Sequence, residues 1–194
     1  MNGNCAVSEI YDDLSYVSLQ GVLLKLYHGS RALFDSFDPQ FFGSGEGSGL
    51  AFWFIDDFDG AAYHARKTKR HSAYIPRVYT CEFPDHLPVA DLDASLSSQP
   101  HLLECLRDTL PVELAFKISA TDRNWGRSLL SIWSEFTEIP KDNNDLIELL
   151  SARCGIMGAH NLQGGCGNNR YKGRCTVIFA GAEHHIRILK TEEV

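Results

Sequence analysis

Apolar and polar residues alternate with two different periods along this chain, and each change of period marks an element. Val22-Leu23-Leu24-Lys25-Leu26-Tyr27 is a strand-sized run, apolar enough to predict burial on both faces. Residues 1–20 carry only a weak helical pattern and read as a peripheral lead-in, which leaves one domain over 21–194. Ala51-Phe52-Trp53-Phe54-Ile55 predicts a second strand, and Asp56 or Asp57 is placed to cap a helix over residues 58–69. Val78–Phe83 predicts a strand with Tyr79, Cys81 and Phe83 on one face. Pro84 and Pro88 bracket a turn before a short strand at Val89–Leu92. The middle turns helical: His101–Leu110, Gly126–Phe136 and Asp145–Cys154 space apolar residues by three and four, with Leu129, Leu130, Ile132 and Trp133 as one stripe. Thr176–Phe179 and Ile186–Leu189 predict two closing strands joined by a turn around Gly181. Thr176–Phe179 is apolar throughout and is expected at the sheet centre, beside the strand that ends in His28. This order predicts an α+β fold and excludes a doubly wound α/β unit.

Composition narrows the picture. A chain of 194 residues suffices for one compact domain. The net charge of −7, from 18 basic and 25 acidic side chains, argues against a surface that grips nucleic acid by charge alone. The basic run Arg66-Lys67-Thr68-Lys69-Arg70-His71 is the local exception and reads as a solvated helix end. No secretory signal, membrane span or myristoylation pattern is found, so a cytoplasmic protein is expected, or one delivered into a target cell without a cleavable signal peptide. Among six cysteines there is no C-x-x-C spacing, and Cys81, Cys105 and Cys154 read as small core residues. His184-His185 near Cys175 do not predict a metal site, because neighbours on a strand point to opposite faces.

Two Gly-rich stretches punctuate the pattern. Gly43-x-Gly45-x-Gly47-x-Gly49 is not a dinucleotide fingerprint and precedes a strand, where that fingerprint opens a helix. Any ligand role there comes from free backbone N–H groups and close approach. Gly164–Asn169 is a second loop. Between them lies an ordered series: Tyr27-His28-Gly29-Ser30 at a strand end, the Gly-rich loop, Trp53-Phe54-Ile55-Asp56-Asp57, then Ala61-Ala62-Tyr63. Taken singly, His28 reads as a satisfied structural histidine, and Trp53, Phe54 and Tyr63 as packing residues.

Taken in order, the series resembles the first two motifs of ADP-ribosyltransferases of the diphtheria-toxin and poly(ADP-ribose)-polymerase branch. The nearest resemblance is to the ADP-ribosyltransferase domain of phage and mobile-element polyvalent proteins, over nearly all of the chain after residue 22. It extends through Leu87 to Gln99, the helix start at Trp125, the turn at Gly155–Gly158 and the closing strands. The resemblance implies two small antiparallel sheets around an NAD cleft, with inserted helices. It implies NAD as substrate, no metal, and contacts from Tyr27, His28, Gly29, Ser30, Ser44, Gly45, Trp53, Phe54 and Tyr63. His28 then meets ribose hydroxyls, Gly29 pairs its backbone with the nicotinamide carboxamide, and Trp53 and Tyr63 sandwich the cationic ring.

At the third motif the family carries a Glu that steadies the positive ribose. Aligning Thr176–Phe179 puts Cys175 in its place, so the expected catalytic set is His28, Tyr63 and Cys175, with Cys175 at the cleft mouth near His28. Asn168, Asn169 or Glu46 then stands in for the carboxylate. The activity implied is mono-ADP-ribosyl transfer, a pentosyl-transferring glycosyltransferase reaction, by a toxin or effector. The acceptor is a macromolecule, with protein preferred over RNA or DNA, and a neutralising antitoxin or chaperone is a further expected partner. The competing class is an inactive module whose cleft binds a partner.

Overall fold

The computed structural model of the chain describes residues 23–42, 50–67, 73–121, 125–162 and 173–194. The lead-in at 1–20, the basic residues beyond Lys67, Ser44, Gly45, Glu46, Cys5, Cys166, Asn168 and Asn169 lie outside the described residues. The strands are β1 Leu23–Ser30, β2 Ala51–Ile55, β3 Arg77–Pro84, β4 Val89–Asp91, β5 Gly158–His160, β6 Cys175–Phe179 and β7 Arg187–Glu193. The helices are α1 Phe58–Lys67, α2 Pro100–Thr109, α3 Val112–Ser119, α4 Trp125–Thr137 and α5 Asn143–Glu148, which runs on into a π-turn at Leu149–Arg153.

The expected α+β class is present, but the expected pair of small sheets is not. One sheet of seven strands runs in the order β4-β5-β6-β2-β1-β3-β7. All neighbours are antiparallel except β4 and β5. The two halves are well laddered within themselves, from Leu23–Pro84 to Ser30–Arg77 in one and from Ala51–Phe179 to Ile55–Cys175 in the other. They meet through the single ladder pair Tyr27–Ile55, which is enough to make them one sheet. The apolar strand β6 is interior, as its composition demands, yet β2 and not β6 is the neighbour of β1. The closing strands do not form a hairpin: past Gly181 (φ 94°) the chain crosses to the far edge, where β7 pairs with β3. β1 is less buried than its composition predicts, with only Leu26 fully enclosed, because the chain over one of its faces is short.

The helices share one face of the sheet. Ala51, Ala90, Ala159, Cys175, Val177 and Phe179 point into a core shared with Leu106, Leu114, Ile118, Trp125, Leu129, Leu146 and Leu150. On the same face α1 lies over Ile55 and Val78 through Ala61 and Ala62. The opposite face carries Leu26, Phe52, Phe54, Tyr79, Cys81, Phe83 and Ile178, covered by Phe34, Phe37 and Phe42 from the segment after β1. Tyr79, Cys81 and Phe83 do share this face, and burial there pushes the Cys81 thiol up to about 12. Tyr79 staples the covering segment down: its hydroxyl donates to the Ala32 carbonyl at 2.6 Å, and its ring stacks on Phe34 at 4.1 Å.

Cys105 and Cys154 are not independent core residues: they form a disulfide that ties α2 to the end of the π-turn. Helical spacing brings each to a helix flank, and only the packing of α2 against the α5 end makes them neighbours. No helix among the described residues is long and apolar enough to cross a membrane.

The bridge closes a sequence separation of 49 residues. Reduction, or the Cys105→Ser/Cys154→Ser double variant, is expected to cost about 2–4 kcal/mol of stability. Guanidinium unfolding with and without dithiothreitol measures it. Identical midpoints would show that the bridge does not constrain the chain.

Candidate functional site

The series legible in the sequence converges on the middle of the sheet, around the row where β2, β4 and β5 finish and β6 begins, while β1, antiparallel to β2, runs on past that row to Ser30. Past Tyr27–Ile55, β1 and β2 share no further ladder pair. In its place His28 Nδ1 donates to the Trp53 carbonyl at 2.8 Å. A carbonyl only accepts, so Nδ1 carries the proton and Nε2 is left as an acceptor. The ring is walled by Phe34, Phe37, Phe54 and Tyr79, with centroids 5.3–6.3 Å away. This is an aromatic enclosure, not the open cleft wall expected for His28. Burial lowers its pKa, against the raising effect of the Trp53 bond, and His64 lowers it further.

Gly29 lies on the opposite face, under α1. A Cβ built there would meet the Ala61 carbonyl oxygen at 2.0 Å, so α1 seats on the β1 backbone only because residue 29 is glycine. The helix starts where Asp57 accepts from Gly60 N–H at 2.7 Å, which settles the capping residue. It ends where Arg31 donates to the carbonyls of Arg66 and Tyr74, fastening it to the end of β1. Ser30 Oγ accepts from Ala32 N–H and shapes the exit of β1. Tyr27 packs edge-on to Phe58.

The expected aromatic sandwich is not assembled. Ala61 and Ala65 face the sheet, so Tyr63, about 160–200° around the helix from them, projects from its outer side. There its ring meets His64 at 5.8 Å and Lys67 Nζ at 5.8 Å. Trp53 leans toward the helical core, and its Nε1 is buried with no hydrogen-bond acceptor among the described residues.

Cys175 is displaced from its expected place for a similar reason. Register puts it in the row Tyr27–Ile55–Cys175, where β6 begins and β1 runs on toward Ser30. Strand alternation turns its side chain into the helical core at 1% exposure, away from His28. It is therefore buried in the core and not at a cleft mouth. Thr176, next along β6, shares the face of His28 and Phe54, and its hydroxyl pairs with His160 Nδ1 at 2.8 Å.

No local pattern announces this polar corner, because β5 is only three residues long. It contains His160, Thr176, Asp91, Arg174 and Asp56. Burial and the Arg174 charge lower the His160 pKa, while Asp91 and Asp56 raise it. The Arg174 guanidinium pairs with the Asp91 carboxylate, and Arg174 N–H donates to Asp56 Oδ1 at 2.5 Å. Asp91 is itself clamped through its backbone by the Gln99 amide, at 2.8 Å to both N and O, and by Trp125 Nε1 at 2.9 Å. Among the described residues no group of His, Cys, Asp and Glu is arranged to hold a metal ion. A groove of about 460 Å³ beside α2 and α3, lined by Arg107, Val112, Ala115, Phe116, Ser119 and Ala120, shares no residue with this region.

Comparison with protein-family models, with curated proteins and with solved structures finds no match to this chain.

Gly29→Ala is expected to destabilise the fold by about 1–3 kcal/mol, because the clash is with helix backbone that has no rotamer to yield. Thermal melting checks it, and a melting point equal to wild type would mean that α1 is not seated as described. A second expectation concerns pH. His28, His160 and His185 all have lowered pKa values, burial being the largest cause in each. The unfolded chain then takes up protons near 6.5 before the folded one does, so stability is full above that pH and falls as pH drops below it. Melting points from pH 8 to 5 should show this fall, shallower in His28→Phe. An unchanged slope in that variant would mean that His28 is not held neutral.

Proposed function

We propose that the seam between β1 and β2 is a nucleotide site and that the chain is an NAD-dependent glycosyl transferase. Within that class it is a mono-ADP-ribosyltransferase of the toxin or effector kind, moving ADP-ribose from NAD to a macromolecule. The observation that carries this reading is the parting of the two strands after Tyr27–Ile55, with the neutral His28 ring bridging to the Trp53 carbonyl. A parted ladder at the centre of a sheet offers backbone groups from Gly29 and Ser30 to a planar carboxamide. An imidazole Nε2 that only accepts suits a ribose hydroxyl.

Chemistry at such a site needs little beyond positioning and charge. His28 orients the ribose, and the walls of Phe37, Phe54 and Tyr79 keep its ring neutral and fixed. Trp53 is the aromatic surface nearest the seam, and Tyr63 stands too far round α1 to oppose it. The acidic balance of the chain favours a protein acceptor over RNA or DNA. One observation favours a second reading, a binding module without turnover: Cys175 is buried where the resembled family carries its carboxylate.

Calorimetric titration with NAD tests the site, and incubation with labelled NAD and separate protein and RNA fractions tests the acceptor. Wild type should bind NAD, and His28→Phe, which fills the enclosure but offers no acceptor nitrogen, should weaken binding about tenfold or more. Tyr63→Ala should bind within about twofold of wild type, since its ring lies off the seam. Absence of NAD binding by the folded wild-type protein would end this reading.

A further inference from the structure

We propose that the outer face of α3 is the contact through which two copies of this chain pair, antiparallel and about a two-fold axis. The inference stands apart from the nucleotide reading of the seam. α3 is apolar on both of its sides. Leu114, Ala115 and Ile118 turn inward and are buried in the helical core. Val112 and Phe116 turn outward, 79% and 77% exposed, and are the two most exposed large apolar side chains among the described residues. A helix that is apolar all round is ordinarily covered all round. A Val and a Phe one turn apart in water on a two-turn helix call for a cover.

Val112, Phe116 and the exposed Ala120 follow at four-residue spacing and form one stripe along the helix. At 100° per residue, Ala115 and Ser119 lie to one side of it, and the exposed Glu113 and Lys117 to the other. On the first side the groove of about 460 Å³ opens toward Arg107 of α2. The apolar stripe thus has a hollow along one flank and a pair of opposite charges, one turn apart, along the other.

The charges choose the occupant. When two identical helices pair antiparallel about a two-fold axis, each flank of one meets the same flank of the other with its direction reversed. With the axis level with Ala115, midway between Glu113 and Lys117, each Glu113 comes level with Lys117 of the second copy, and the ion pair forms twice. At a rise of about 1.5 Å per residue, the same register sets each Val112 between the levels of Phe116 and Ala120 of the other copy. The two Phe116 rings then meet at the centre, where an interface carries its aromatic anchors, and the charges form the rim. Parallel pairing would set Glu113 against Glu113 and Lys117 against Lys117. A face that is its own charge complement fits a second copy better than an unlike protein. A two-turn helix covers little area beside a standard interface, so the dimer is weak, with a Kd of about 10–100 μM.

Sedimentation velocity over loading concentrations from about 1 to 500 μM tests this on wild type, Phe116→Asp, Glu113→Lys and Lys117→Glu, with melting points to show that each variant is folded. Wild type is expected to pass from monomer to dimer, and Phe116→Asp to weaken association about tenfold or more. Each charge variant alone sets like charges together twice and is expected to weaken it about tenfold. Mixed in equal amounts, Glu113→Lys and Lys117→Glu restore both ion pairs in the heterodimer, and association should return to within about threefold of wild type. A change in local helix stability would not be undone by mixing. Wild type that is monomeric at every concentration overturns the proposal, as does a dimer that Phe116→Asp leaves unchanged. Charge variants that stay apart when mixed overturn the antiparallel register.

Discussion

The sheet is held across its middle by one ladder pair, Tyr27–Ile55, and what surrounds the candidate site follows from that narrow join. Two strands that part in the centre of a sheet leave backbone groups without partners, which is costly unless something else engages them. On one face α1 presses on Gly29 so closely that no side chain fits between. On the other, the His28 ring reaches across to the Trp53 carbonyl. The seam is thus bridged by a helix backbone and an imidazole.

The two faces divide the labour. The helical face carries the larger apolar core and the disulfide, and it fixes the strands β4, β5, β6 and β2. The aromatic face is thinner: one short covering segment, stapled by Tyr79, encloses His28 and keeps it neutral. Because alternation sends neighbouring residues to opposite faces, a contiguous motif such as Tyr27-His28-Gly29 is split between these environments.

Several residues that carry the family resemblance have a structural explanation of their own. Gln99 matches both backbone groups of Asp91 and so fixes the end of β4. Trp125 is fully buried and donates to the same carbonyl, and Gly126 beside it sits against Leu92. These contacts anchor the helical layer to the strand end that holds the Asp91–Arg174 pair.

Period and punctuation alone determined most of the elements. The alternation of Tyr79, Cys81 and Phe83, the spacing within α2 and α4, the cap before α1 and the interior place of β6 all follow from local pattern. Local pattern missed α3 and β5: Pro111 and the short connection before Val112 disguise a two-turn helix, and three residues are too few to show alternation. His28, Gly29, Trp53 and Cys175 were singled out by the resemblance and not by any local period. Which way each side chain points, and what it meets there, was decided by strand order and helix docking, which no local period encodes. That is why Cys175 turned into the core and Tyr63 onto the outer side of α1. For the same reason Cys105 met Cys154 across 49 residues.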